Sequence, residues 1–401
     1  MVTGSRNRAL GAEIDAHPDI ARPLLRVAHC GRVSDIRFNG GSPYFMWQAL
    51  AQTGLRVAPH DLIATWDVPA QRLAWRIRET LALRGARGYM FSNDFLEVAW
   101  SRAPRMAAGD AIVNIFQLFP ESVLARAERQ ELTLFHYIDL SLRELFYEWL
   151  PATDSGHLPV SPAHCESAIA RERRGYVAAR KIVTFSRRTA RALVSDYAID
   201  PRKIATVMPG ASLDEAEVDR VLERRREPTG EFIVGYVGSD HQRKGLPTLA
   251  AAVLAARQAG LPISLRVIGP SPAELENTPG IELVGKVDKF AEMGRFIELI
   301  SSCHIGCLLS KAEGLPISLL EFLRVGVPVL STNVNGIPDI VKPGLGILVE
   351  PSASAAEVSG ILSRLAAHKA DYLELRQGAR QAQCHMSWPR AAAELYSTLF
   401  E

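Results

Sequence analysis

Short apolar runs recur along the chain, and the longer stretches between them place apolar residues every three or four positions. Uninterrupted apolar runs bounded by turn residues predict buried strands, and the periodic stretches predict helices. Together they describe a parallel sheet covered by helices, an α/β fold. The pattern starts twice. Leu24-Leu25-Arg26-Val27-Ala28 opens the first series, and Glu231-Phe232-Ile233-Val234-Gly235-Tyr236-Val237-Gly238 opens the second. The second series then predicts a loop from Gly238 to Gly245, a helix through Leu249 to Leu254, and strands at Leu265 to Ile268 and Ile281 to Val284. A helix near Met293 to Ile300, a strand at Ile305 to Leu309, a helix from Pro316 and a strand at Val327 to Leu330 follow. This order is that of a doubly wound nucleotide-binding half, in which ligands sit at the carboxyl ends of the strands.

Between the series, Val207 to Ser212 and Glu223 to Gly230 combine turn residues with clustered charge, which predicts a solvated linker and a boundary near residue 212. The expected domains are 1–212 and 213–385. A length of 401 residues with 47% hydrophobic content suits two cores of similar size.

Charge and cysteine content narrow the functional classes. A net charge of +2, from 46 basic and 44 acidic residues, argues against nucleic acid as the main partner, so any anion site must be local. The cysteines (Cys30, Cys165, Cys303, Cys307 and Cys384) are odd in number and scattered, which fits a reducing compartment. Cys303-His304-Ile305-Gly306-Cys307 lies in an apolar strand pattern without a second ligand pair, and reads as core packing rather than zinc. The first two dozen residues have no signal-like apolar stretch and read as a loose tail. No later segment reaches the uncharged length of a membrane span. The expected location is cytoplasmic or peripheral on the inner face of a membrane.

Two segments carry the chemistry. In Ser310-Lys311-Ala312-Glu313-Gly314-Leu315-Pro316-Ile317-Ser318-Leu319-Leu320-Glu321, Pro316 suits the first helical position, which puts Glu313 in the loop before a helix and Glu321 on its second turn. Amides from Gly314 to Ser318 then point out of the helix end, where phosphate oxygens are favoured by the dipole. Glu321 has the two acceptor oxygens needed for both hydroxyls of a ribose, and Glu313 is placed to reach a donor sugar. The competing reading is a capping acid and a surface acid. Gly238-Ser239-Asp240-His241-Gln242-Arg243-Lys244-Gly245 brings Arg243 and Lys244 to the same sheet edge, where fixed cations stabilise the charge on a departing diphosphate. Its competing reading is a solvated basic loop.

In this order and spacing the two segments resemble the retaining GT-B glycosyltransferases of family 4, the group 1 glycosyl transferases. The resemblance continues through Gly326 to Thr332, Asn335 to Val341 and Gly344 to Val349. It implies a GT-B fold, two doubly wound Rossmann-like domains facing a cleft, and transfer of a hexose from a UDP or GDP sugar with retention of configuration. It assigns Glu313 to the donor sugar, Glu321 to the ribose, Lys244 to the diphosphate, and Gly238, Ser239, Arg243, Gly314, Leu315 and Pro316 to the donor pocket. Many members carry their arginine where this chain has Ser239; a subset that includes lipopolysaccharide-core glucosyltransferases has adjacent Arg-Lys-Gly, as here. Asn335 stands where glycine is frequent.

Phe38-Asn39-Gly40-Gly41-Ser42-Pro43-Tyr44-Phe45 looks like the family's glycine-rich loop, which places Gly40 and Gly41 near the donor diphosphate or the acceptor. Leu132 to Asp139 resembles the strand that brings a histidine or aspartate to the transferred sugar, either His136 or Asp139. Ser387-Trp388 and the following helix, 386–401, resemble the segment that crosses back onto the first domain, with Ala391, Leu395 and Leu399 spaced to bury one face.

The resemblance and the basic loop imply a metal-independent enzyme with no cofactor. No Asp-x-Asp cluster suggests a metal. The acceptor is expected to be a glycan, a lipid-linked glycan or a small molecule in envelope or exopolysaccharide synthesis. A nucleotide-sugar epimerase or phosphorylase, or a catalytically silent sugar-nucleotide-binding partner, is the alternative. Arg72-Leu73-Ala74-Trp75-Arg76-Ile77-Arg78, continuing to Leu81, Leu83, Arg84 and Arg87, fits either an ordinary exposed helix or a peripheral contact with anionic lipid. Arg171-Glu172-Arg173-Arg174 reads as a solvated helix face.

Overall fold

The computed structural model describes residues 24–62, 69–153, 160–225, 228 and 230–401. The expected loose N-terminal tail lies outside the described residues. Two six-stranded, wholly parallel sheets account for the two series of apolar runs. The first contains β1 (Leu25–Cys30), β2 (Val57–Leu62), β3 (Ala111–Asn114), β4 (Thr133–Ile138), β5 (Lys181–Thr184) and β6 (Ile204–Thr206), in the order β2-β1-β3-β4-β5-β6. The second contains β7 (Phe232–Val237), β8 (Ile263–Ile268), β9 (Ile281–Gly285), β10 (Ile305–Leu308), β11 (Val329–Thr332) and β12 (Gly346–Val349), in the order β12-β11-β10-β7-β8-β9. Parallel strands covered on both faces are nearly continuous apolar runs, and β3, β10 and β11 are buried at every position.

The second sheet reverses direction between β7 and β10, so the loops that follow these strands are neighbours despite their distance in sequence. Gly235 of β7 pairs with Gly306 of β10, and the Phe322 ring of the helix Ile317–Arg324 lies on that glycine pair. A Cβ at Gly235 would come within 2.9 Å of the ring, and one at Gly306 would overlap it. The missing side chains let the helix sit directly on the sheet, which sets where its amino end points. Cys303 and Cys307 are both fully buried in this core, as strand packing requires.

The stretch expected as a solvated linker is instead partly core. Val207, Ala211, Ser212 and Leu213 are buried, the Ala211 N–H donates to the Met386 carbonyl at 2.7 Å, and Gly210 leaves room for the Trp388 backbone. The helix Trp388–Phe400, capped by Ser387, crosses back here and buries Ala391, Leu395 and Leu399, with Phe400 5.8 Å from the Phe135 ring of β4. A turn-rich sequence was enough to predict a connection, but not the segment that covers it. After it comes the helix Glu215–Arg224, capped by Asp214. The run Arg171 to Arg174 also departs from expectation: Glu172 is fully buried and accepts bonds from the Leu142 N–H and the hydroxyls of Tyr176 and Tyr197.

Substitution at the glycine pair tests this arrangement. Gly306→Ala is expected to destabilise the fold by roughly 1–3 kcal/mol through overpacking. Gly360→Ala, at an exposed position of the helix Ala355–Ala367 with open space around it, is expected to stabilise by about 0.5–1 kcal/mol. Urea unfolding midpoints measure both. Equal midpoints for Gly306→Ala and the unsubstituted protein would show that Phe322 does not need the gap.

Candidate functional site

The loops after β7 and β10 are stapled together at their backbones. The Lys311 N–H donates to the Arg243 carbonyl at 2.8 Å, and Gly245, at φ 71°, leaves no room for a Cβ against the Leu309 carbonyl. Arg243 and Lys244 thereby face Glu313. Glu313 Oε1 is 2.7 Å from Arg243 Nη1 and 3.3 Å from Lys244 Nζ, and it accepts from Ser310 Oγ at 3.0 Å.

The two cations differ in how they are held. Arg243 is buried, pairs with Asp240 at 2.7 Å, donates to the Ala312 carbonyl at 2.8 Å, and lies 4.9 Å over the Trp149 ring of the first domain. Burial alone would lower its pKa, but Glu313 and Asp240 outweigh that effect and raise it. Lys244 packs its stem against Gly238, and its only ion pair among the described residues is the longer contact to Glu313. Ser239 is exposed at the bend. Arg243 thus holds Glu313 in place, and Lys244 is the cation with donors left for a ligand.

Glu313 is fixed from its backbone as well. Its N–H donates to Asn335 Oδ1 at 3.1 Å, and Asn335 Nδ2 donates to Glu148 of the first domain at 3.1 Å. Asn335 takes φ 46°, the left-handed conformation that asparagine tolerates, so the turn keeps a glycine-like geometry while gaining a side chain that spans the cleft. Gly314 packs against the Asp139 carboxylate so closely that a Cβ would overlap it. Leu315 and Pro316 are buried, and Pro316 is the N-cap rather than the first helical residue, since the helix begins at Ile317. Ser318 Oγ, in the first turn, is buried without a hydrogen-bond partner.

Strand parity separates the two candidates at the end of β4. Odd and even residues of a strand face opposite sides, and His136 points away from the cleft into a pocket of Phe119, Tyr176 and Gly175, where burial lowers its pKa to about 3. Asp139, just past the strand, lines the cleft instead. Burial and then the Glu313 charge raise its pKa from 3.8 to about 8, against an opposing bond from the Leu315 N–H. His136 therefore belongs to the core, and Asp139 is the residue that meets Glu313.

Glu321 is buried on the helix and its carboxylate is 2.6 Å from Lys289 Nζ. Burial raises the Glu321 pKa, and Lys289 opposes that rise. Lys289 also donates to the Gly40 carbonyl at 3.3 Å, and Phe290 beside it packs on Gly41, at φ 88°. The glycine-rich loop therefore meets the loop after β9 and not Glu313 directly. A cavity of about 350 Å³ lies between the domains, lined by Asn39, Gln117, Asp139 and Trp149 on one side and Glu313 and Leu315 on the other. The ion pairs Arg187–Asp339 at 2.7 Å and Arg37–Asp288 at 3.2 Å also join the two domains. Trp149, Lys289 and the bridging role of Asn335 carry no motif of their own, and only the fold brings each to its partner.

The comparisons with known proteins agree with this architecture. Residues 231–367 match the family model of glycosyl transferases group 1. The D-inositol 3-phosphate glycosyltransferase of Geodermatophilus obscurus is 29% identical over 238 residues, 54% of this chain and 51% of that protein. The amylovoran biosynthesis glycosyltransferase AmsK of Erwinia amylovora is 34% identical over 68 residues, 17% of each chain. The chain spans about half the length of the first of these relatives. Among solved structures, sucrose-phosphate synthase from Thermosynechococcus elongatus has a TM-score of 0.62 at 18% identity, covering 94% of this chain and 99% of that one. Anabaena HepE in complex with UDP and glucose has a TM-score of 0.56 at 11% identity, with the same coverage. The fold is GT-B, two Rossmann-like domains across a cleft, and residues 231–367 of the second domain are similar to the group 1 glycosyl transferases.

The shifted carboxyl of Asp139 gives a pH signature. An unfolded aspartate releases its proton near 3.8 and the folded one near 8, so between these values the unfolded chain holds fewer protons and rising pH lowers stability through this group. Asp139→Asn is therefore expected to raise Tm by more at pH 8 than at pH 5, by a few degrees. Glu172, also raised to about 8 by burial, is present in both proteins and cancels. A Tm difference that does not change with pH would sink this assignment.

Proposed function

We propose that this chain transfers a hexose from a nucleotide diphosphate sugar to a glycan, lipid-linked glycan or small-molecule acceptor with retention of anomeric configuration. The observation that carries the reading is Glu313, held by Arg243, Lys244 and Asn335 at the β7–β10 switch point and facing Asp139 across the cleft. In this reading the diphosphate lies at the amino end of the helix Ile317–Arg324, where the dipole and Lys244 offset its charge as the glycosidic bond breaks. Glu321 accepts from the ribose hydroxyls, for which Lys289 must yield. Glu313 contacts the donor sugar, and the first domain, 1–212, presents the acceptor past Asn39 and Gln117.

Several likenesses support parts of this. The HepE complex with UDP and glucose favours a uridine-type donor. AmsK, named for amylovoran biosynthesis, and WaaG, a glycosyltransferase involved in lipopolysaccharide biosynthesis with a TM-score of 0.57 at 12% identity, favour envelope or exopolysaccharide synthesis. Lys244, Arg243 and the helix end supply the positive field on which a metal-independent transfer relies, and no cofactor enters the proposal.

Thermal shift against UDP, GDP and their sugar conjugates tests the donor site, because a ligand that binds only the folded state raises Tm. One nucleotide is expected to shift it, and none doing so would leave the silent-partner reading in its place. Lys244→Ala is expected to weaken the donor and lower kcat about 100-fold. Glu321→Ala should weaken the donor, and Glu313→Ala should slow turnover more than it weakens free nucleotide. Activity is expected to survive EDTA, and its abolition with recovery on adding a divalent cation would overturn the metal-independent reading.

A further inference from the structure

The helix Pro69–Leu81 is attached to the first domain by a narrow edge. Only Trp75 and Glu79 among its described side chains are buried, and they lie one turn apart on the inward face. At 100° per residue, Leu73, Ile77 and Leu81 share a stripe roughly opposite that edge, so it points away from the protein. The three are 57%, 53% and 79% exposed. A surface helix ordinarily turns its apolar stripe inward; this one turns it outward.

The end of the helix repeats the anomaly by independent means. The Arg84 N–H donates to the Glu79 carbonyl and the Leu83 N–H to the Thr80 carbonyl, the paired bonds of a Schellman motif that puts Leu83 in the left-handed position. Glycine is the usual residue there because a Cβ is crowded by the following carbonyl. Leu83 adopts φ 57° with 94% of its surface exposed, so the chain bears a steric penalty to hold a large apolar side chain in solvent beside Leu81.

The charge around the stripe is one-sided. Residues 70–87 contain Arg72, Arg76, Arg78, Arg84 and Arg87, with Glu79 the only acid, and Glu79 is buried on the inward face. Arg76 and Arg78 border the stripe on its two sides, with Arg72 beyond Arg76 toward the inward edge; Arg78 is paired with Glu79 and Asp94, whereas Arg72 and Arg76 make no ion pair among the described residues. No helix among the described residues is long and apolar enough to cross a membrane.

We infer that this face is an interfacial anchor: Leu73, Ile77, Leu81 and Leu83 enter the boundary of an anionic bilayer while Arg72, Arg76, Arg84 and Arg87 meet its phosphates. An outward apolar stripe bordered by arginines is complementary to a lipid surface in both polarity and charge. The helix follows the carboxyl end of β2, the sheet edge from which the cleft residues also project, so the anchor sets the cleft near the membrane. The inference is independent of the sugar-transfer reading.

The test is co-sedimentation of the full chain with phosphatidylcholine vesicles that contain or lack phosphatidylglycerol, at low and high salt. The protein is expected to pellet with the anionic vesicles, to be released by salt, and to stay in solution with phosphatidylcholine alone. Leu73→Gln, Ile77→Gln and Leu81→Gln combined should weaken partition at least tenfold without lowering Tm, since the inward anchors are untouched. Arg72→Gln with Arg76→Gln should cost on the order of fivefold per arginine. Leu83→Gly separates anchoring from folding, because it should raise Tm while weakening vesicle binding. Failure of the unsubstituted protein to pellet, equal binding to neutral vesicles, or undiminished binding by the triple variant would each overturn the inference. So would a dimer that the triple variant dissolves to monomer, which would identify a second copy as the occupant.

Discussion

The site depends on one close approach: Phe322 lying on the Gly235–Gly306 pair where β7 and β10 meet. A helix kept off the sheet by two Cβ atoms would carry its amino end, Glu321 and the preceding loop outward together. With the gap present, the loop after β10 drops onto the loop after β7, and the Lys311–Arg243 backbone bond and the packing of Gly245 on Leu309 hold them in register. Glu313 meets Arg243 and Lys244 as a consequence of that contact. The glycines are thus a packing device, and the electrostatics of the cleft are built on it.

Around this corner the charges are arranged in order of burial. Arg243 is committed to Asp240, Glu313 and the Trp149 ring, and a guanidinium with its donors occupied acts as a fixed strut. Lys244 keeps free donors, as a phosphate contact requires. Lys289 fills the Glu321 carboxylate and reaches the Gly40 carbonyl, so a single ammonium neutralises a buried acid and joins the domains. Asp139 and Glu313 face each other, and low dielectric with a neighbouring negative charge keeps the first protonated more readily than an ordinary aspartate.

The first domain supplies what closes the cleft. Asn335 to Glu148, Arg187 to Asp339 and Arg37 to Asp288 all cross it, and the helix Trp388–Phe400 makes the apolar core continuous between the halves. The same domain turns the helix Pro69–Leu81 outward with its apolar side exposed. That exposed stripe is the basis of the membrane anchor inferred above.

Much of this was legible in the chain. Alternation of apolar runs with helical periods is a local property, and it determined the α/β class, the two series of strands, the loops that bear Arg243, Lys244 and Glu313, and the helix that bears Glu321. Local pattern also marked both His136 and Asp139, but choosing between them needed the strand's parity relative to a cleft that only the second domain creates. The turn-rich stretch after β6 looked solvated because its cover, Met386 to Phe400, lies at the far end of the chain. Glu172, inside a basic run, took its burial from Tyr176 one turn along its own helix and from Leu142 and Tyr197 brought in by other elements. Periodicity along a segment records which face is apolar; whether that face meets a core, a neighbouring domain or open solvent is set by contacts between residues far apart in sequence, and only the tertiary structure decides it.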